Sequence, residues 1–333
     1  VLLYLIIFVL ICFFLPVIFT PQSKNTAKTI ENEEENKNIE IEQVTKSTYD
    51  YKNYKEITLY HTSTKKTEKV PLDEYLYLLR CQQVLKKKHL KLRQLWQEHI
   101  LCIKYKIVNG KHKGDNADIC DSASCCQAWI SKEDRLAKWN EKERDSNWNK
   151  IVNAVNNTQG KIITYKGNVI NAFFHSNSGG KTESPINVWG GSNYPYLQAV
   201  QTDGEDAYSQ YKSEIIIKKD ELVKKIKEKH RDFEIDFSKK DCIKVKEYTE
   251  GNRVKTIQIG NLELSGVEVR NILSLRSANF KFSIEGDNIK FEVIGYGHGV
   301  GMSQTGADSL AKQGKNFEEI IKHYYTGVDI VDM

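Results

Sequence analysis

Hydrophobic and polar positions divide the chain into three regimes. Residues 1–20 (VLLYLIIFVLICFFLPVIFT) carry no charge and show no polar face. Twenty apolar residues wound as a helix rise about 30 Å, enough to cross a hydrocarbon core, so the run reads as a transmembrane anchor. A cleaved signal peptide is the rival reading, but its apolar region is usually shorter, and residues 16–22 offer no small-residue cleavage site. Residues 21–53 invert the pattern. Their ENEEENKNIEIEQ core cannot bury enough apolar surface to order itself and predicts a polar tether.

From residue 54 onward the pattern is that of a folded body. Alternation in EITLYHTSTKKTEKVPL, KIITYKGNVINAFFH and FKFSIEGDNIKFEVIGYG predicts short strands. Helical spacing appears over 220–229 and 306–325. With no internal repeat, this predicts one mixed α+β domain over 54–333, behind an N-terminal transmembrane helix and a polar linker.

Composition adds little. The 333 residues carry 49 Lys and Arg against 44 Asp and Glu, and the surplus of +5 is not clustered as a nucleic-acid footprint would be. Four of the seven cysteines, Cys12, Cys81, Cys102 and Cys242, are scattered, and Cys120, Cys125 and Cys126 cluster eight residues and more after His112. Thiolates and an imidazole brought together by a short loop are what tetrahedral zinc favours. A disulfide suited to an extracytoplasmic domain, or inert thiols, would use the same residues.

Two glycine-and-histidine motifs carry the chemistry. In FHSNSGGKTE (174–183) a strand-like run ends at His175, and small residues, Ser176 and Ser178 among them, let the backbone turn sharply. In GYGHGVGMSQ (295–304), Gly295, Gly297, Gly299 and Gly301 alternate with other residues around His298 and end at Gln304. Such a loop exposes amides and leaves room beside the imidazole, and two of them in one domain predict a shared cleft. Trp189 and Tyr296 are candidate platforms for sugar rings, with His175, Ser176, Ser178, His298 and Gln304 as candidate substrate-binding residues. The Walker lysine pattern is absent, so neither motif is a phosphate loop. Either motif could also be a tight turn with a satisfied histidine.

VPLDEYLY (70–77), ADIC with CQAW (117–129), HSNSGGKTE (175–183), VWGGSNYPYL (188–197), LSLRSANF (273–280) and GYGHGVGMSQTGA (295–307) together resemble the SpoIID/LytB family, in family order. The resemblance implies a membrane-anchored lytic transglycosylase with its soluble domain outside the cytoplasm. Its substrate would be peptidoglycan glycan strands stripped of stem peptides, cleaved during sporulation engulfment. It also implies a SpoIIP-type amidase and a SpoIIM-type membrane protein as partners. A structural zinc would be held by the stretch matching His112, Cys120, Cys125 and Cys126, although Cys125 stands where a histidine is expected. One alternative is a non-catalytic peptidoglycan-binding module that stimulates an amidase. Another is a zinc hydrolase with His175 or His298 as ligands.

One segment departs from the family. After VPLDEYLY the family continues with a helix-entering stretch that supplies the catalytic Glu, whereas residues 78–105 here read LLRCQQVLKKKHLKLRQLWQEHILCIKY. This basic run holds no steady helical period and matches nothing. Read in the shifted frame over 78–102, the same codons can spell VEVPAGFEKEAFKAQAVVARTYTL, which is the missing segment, with its Glu across the codons of Leu79 and Arg80. A pair of compensating frameshifts bracketing 78–104 is therefore expected, leaving the printed chain without its acid. Codons for Leu79 and Arg80 other than xxG-AGx end this idea.

Overall fold

The computed structural model describes residues 55–78, 116–122, 125–126, 128–190 and 194–332. The apolar run 1–20, the linker 21–53 and, apart from Leu78, the anomalous stretch 78–104 lie outside these residues. All the described residues belong to one unit, Val44–Met333. It mixes helices with small sheets, as the α+β reading expects, and no helix among the described residues is long and apolar enough to cross a membrane.

The domain opens with the hairpin β1 (Glu56–His61) and β2 (Lys66–Pro71), the first predicted strand pair. Ile57 and Leu59 face inward at alternate positions of β1. Helix α1 (Leu72–Tyr77) follows at once, and β3 (Ile119–Cys120) pairs parallel with the other edge of β1. Two helices then arise that the apolar pattern does not announce. They are α2 (Lys132–Ala137), capped by Ser131, and α3 (Glu141–Asn156), capped by Asn140. The longer one buries only Asn147, Ile151, Ala154 and Val155, too thin a stripe to stand out in the sequence.

The KIITYKGNVINAFFH run becomes β4 (Lys161–Tyr165), β5 (Asn168–Val169) and β6 (Phe174–His175). Strand β4 joins two cores. Ile162 packs with β1, α1 and α3, while its neighbour Ile163 faces the opposite cluster around Met302, Ile320 and Tyr324. A single turn, α4 (Ile186–Trp189), then leads to a separate lobe over 212–294.

That lobe holds β7 (Lys212–Lys218), α5 (Lys219–Lys227), β8 (Ile243–Tyr248), β9 (Val254–Ile259), β10 (Leu262–Ser265), α6 (Gly266–Leu273), β11 (Phe280–Glu285) and β12 (Asn288–Ile294). Two three-stranded antiparallel sheets, β10-β9-β8 and β11-β12-β7, enclose Phe233, Phe280 and Phe291. Each of these fully buried rings contributes about 2–3 kcal/mol of transfer free energy.

The chain then returns through β13 (Met302–Ser303), parallel to β6, into α7 (Gln304–Lys312), α8 (Phe317–Tyr324) and β14 (Asp329–Asp332), which pairs with β4. The single helical run expected over 306–325 is thus two helices. Gly314 sits at φ +91° after α7, and Asn316 begins α8 with a capping box to Glu319.

Candidate functional site

The two glycine-and-histidine motifs are laced together. Asn177 and Tyr296 exchange backbone hydrogen bonds of 3.0 and 2.8 Å, Glu183 N–H donates to Gly299 at 2.8 Å, and Met302 N–H donates to Phe173 at 3.0 Å. The two motifs therefore meet along a continuous backbone seam, beside a small cavity lined by Glu183, Asn187, Arg270 and His298. Gly297 makes it possible, because at φ +116° an added Cβ would lie 2.7 Å from the His175 Cβ.

The seam sets the imidazoles of His175 and His298 with ring centres 5.6 Å apart. His298 Nδ1 accepts from the Val300 N–H at 3.0 Å, so its proton resides on Nε2. His175 Nδ1 faces the Val300 carbonyl at 3.2 Å and must carry the proton there, leaving Nε2 a bare lone pair, buried and without a partner among the described residues. Burial and the arginine charges nearby hold both rings neutral: His298 falls from 6.5 to about 4, and His175, only 4% exposed and further opposed by His298, lies well below 6.5.

This has a measurable sign. The unfolded imidazoles take up protons below about 6.5 while the folded ones refuse them, so stability is complete above that pH and falls as pH drops toward 4. For His298 the shift from 6.5 to about 4 is worth roughly 3 kcal/mol. The urea midpoint of the protein should decline over that window, and His298→Gln should decline less steeply. Parallel curves would refute the assignment.

Beneath the histidines lie two buried carboxylates. Glu205, 1% exposed, accepts at one oxygen from Ser178 N–H (2.9 Å), the Thr305 hydroxyl (2.9 Å) and the Ser303 hydroxyl. Its other oxygen accepts from Gly180 N–H (2.9 Å), the Thr202 hydroxyl (2.8 Å) and the Ser178 hydroxyl. Glu183, also 1% exposed, accepts from Ser184 N–H and the Asn187 amide at 2.8 Å each and from the Thr249 hydroxyl, and it pairs with Arg253 at 3.8 Å. Arg253 in turn donates to the carbonyls of Ser178, Lys181 and Gly251. Gly299 is required above it, since at φ +86° an added Cβ would stand 2.3 Å from the guanidinium.

The wall is aromatic. Trp189, 50% exposed, packs on His298 at 5.1 Å and on Phe173 at 4.8 Å, with the exposed Ile186 one turn away on α4. Tyr296 is 38% exposed and lies beneath the Arg276 guanidinium at 5.2 Å. Apart from this groove, the thiols of Cys120, Cys125 and Cys126 lie within 4.8 Å of one another, close to the spacing of thiolates around one tetrahedral ion. Burial and the neighbouring thiols push Cys126 up to about 12, which a divalent cation in their midst would reverse. The three thiols fit such an ion. His112 lies outside the described residues.

Comparison with known proteins adds a lineage to this geometry. Residues 60–165 match the family described as SpoIID: Stage II sporulation protein. The chain is 32% identical over 278 residues to the stage II sporulation protein D of Bacillus amyloliquefaciens, covering 82% of this chain and 78% of that one. The chain belongs to the SpoIID family. The corresponding protein of Bacillus subtilis (strain 168) is likewise 32% identical, over 277 residues covering 82% of this chain and 78% of its own length. The Bacillus subtilis amidase enhancer is 28% identical over 234 residues, covering 55% of this chain and 33% of its own length.

In this SpoIID chain the groove gathers His175, Ser176, Tyr296, His298 and Trp189 from the two motifs and α4. Gln304, half-buried, opens α7. Ser178 lies elsewhere than expected: it is fully buried, and its hydroxyl donates to Glu205. It braces the seam rather than facing a ligand. Glu205, Arg253 and Arg270 escaped the sequence reading. Glu183 and Arg276 stood inside the quoted motifs without a role attached.

Proposed function

We propose that the groove is the glycan-binding cleft of a sporulation cell-wall lytic transglycosylase acting on denuded peptidoglycan strands, and that the chain as printed binds such strands without cutting them. The observation that carries the binding half is the pair of exposed rings at the seam, Trp189 packed at a tilt on His298 and Tyr296 within the second motif: flat apolar platforms beside a half-buried imidazole suit a sugar ring and its hydroxyls.

The chemistry needs one protonated carboxylic acid. It donates its proton to the leaving glycosidic oxygen as the C1–O bond breaks, and the carboxylate so formed, or a neighbouring group, takes the proton of the sugar's own 6-hydroxyl as that oxygen bonds to C1 and closes a 1,6-anhydro ring. Glu183 and Glu205 are poorly placed to serve, because both are buried and their oxygens are already occupied by backbone, amide and hydroxyl donors of the protein itself. Among the described residues the groove therefore has no spare acid, in keeping with an acid supplied by the frame-shifted stretch. The neutral imidazoles would position the sugar.

The test is to incubate stripped glycan with two full-length chains, one as printed and one carrying VEVPAGFEKEAFKAQAVVARTYTL over 78–102, and to assay anhydro ends by mass spectrometry. Anhydro ends from the second chain alone are expected. None from either would refute the enzyme reading. That outcome would favour the second reading, an amidase-stimulating module, which the similarity to an amidase enhancer supports. On the same family grounds the domain stands outside the cytoplasm on a single membrane anchor, beside a SpoIIP-type amidase and a SpoIIM-type membrane protein.

Cys120, Cys125 and Cys126, with His112, are proposed as a structural zinc site, since a ligand set of four leaves no open position. One zinc per chain is expected by elemental analysis, falling below about a tenth in a Cys120→Ser, Cys126→Ser double variant. Unchanged occupancy would instead favour a His175- or His298-centred metal.

A further inference from the structure

The groove carries more positive charge than its own carboxylates neutralise. Arg253 is matched by Glu183 and three carbonyls, and Lys181 by Glu250 at 2.9 Å. Two other guanidinium groups are not matched. Arg270, on α6, is half-buried; its Nε donates to the Leu275 carbonyl at 3.4 Å, and no carboxylate among the described residues comes within ion-pair distance. It lines the same small cavity as Glu183, Asn187, Arg253 and His298, where the Glu183 carboxylate is paired with Arg253, and its charge helps to hold His298 neutral. Arg276 is exposed, stacks on the exposed Tyr296, and is tied to the second glycine motif by Gly297 N–H donating to its carbonyl at 2.9 Å.

A half-buried guanidinium without a counter-charge forfeits hydration and gains nothing in return, so it is a standing site for an anion. Stacking on a tyrosine face fixes the plane of Arg276 and leaves its donor edge open, the arrangement that receives a carboxylate by two parallel hydrogen bonds. Both arginines flank Tyr296, the sugar platform, so the anion belongs on the sugar itself.

Resting on the glycan-cleft reading above, the anion can be named by its chemistry. When a stem peptide is removed from a muramic acid residue, the amide at its lactyl ether becomes a free carboxylate. An intact strand is neutral at that atom. We propose that Arg270 and Arg276 bind the free lactyl carboxylate and so make the groove select stripped strands over peptide-bearing ones.

The full-length chain, purified in detergent, is titrated calorimetrically with three probes. These are a peptide-free GlcNAc–MurNAc oligosaccharide, the same oligosaccharide with each lactyl carboxylate converted to its methylamide, and a chitooligosaccharide of equal length. The acid should bind roughly tenfold or more tighter than the methylamide, with the preference shrinking as salt rises. Arg276→Gln and Arg270→Gln should each bring that ratio toward one, and Arg276→Lys should retain part of it. Equal affinity of the unsubstituted chain for acid and methylamide overturns the assignment while leaving the cleft intact; this comparison alters the ligand and does not depend on any variant folding. An undiminished ratio in both glutamine variants overturns it too. Failure to bind any of the three sugars overturns the cleft reading as well.

Discussion

Glu205→Leu should destabilise the domain by about 4 kcal/mol or more, the largest effect expected of any single substitution described here. Six donors converge on the two oxygens of this buried carboxylate, two of them backbone N–H groups in the turn after His175 and four of them hydroxyls. Leucine removes the acceptor and leaves these donors buried, each costing about 1–3 kcal/mol where it finds no new partner. Glu205→Gln keeps the shape but turns an amide NH₂ toward three existing donors, so about half the loss is expected. Urea unfolding followed by tryptophan fluorescence measures both. A loss below about 1 kcal/mol for the leucine variant would show that the carboxylate is not the brace beneath the groove.

Arg253→Met should follow closely, at about 3–5 kcal/mol. The guanidinium is 3% exposed, and burial lowers it to about 10, so it remains charged at neutral pH. Removing it strands the Glu183 carboxylate and three backbone carbonyls without their donor. Because the stranded charge dominates the cost, Glu183→Gln introduced alongside it should recover part of the loss, visible as a coupling of 1 kcal/mol or more in a double-mutant cycle. Strict additivity would mean that Arg253 acts through its carbonyl bonds alone.

These two residues also mark where the sequence stops being readable. The strand pairs of 56–71 and 280–294 and the glycine motifs were legible because their signals are local, a period of two in one case and φ-permissive residues in the other. Glu205 was not, since its partners Ser303 and Thr305 lie 98 and 100 positions away and nothing in its own neighbourhood distinguishes it from a solvated surface acid. Arg253 reaches back 75 positions to Ser178 in the same way. Ser178 shows the converse: the motif marked it, but only the packing could say that its hydroxyl turns inward. The split between α7 and α8 was available in Gly314 and Asn316, but an apolar face that continues across the gap concealed it.

The seam between the two motifs has a consequence for synthesis. Phe174 and His175 are laid against Met302 and Ser303, so a nascent chain that has left the ribosome as far as Tyr296 carries both exposed rings and still cannot close the seam. Premature termination upstream of that pairing yields a fragment whose two motifs cannot be joined. A nonsense codon anywhere before residue 303 should therefore yield a fragment that cannot complete the seam, whichever motif residues it carries.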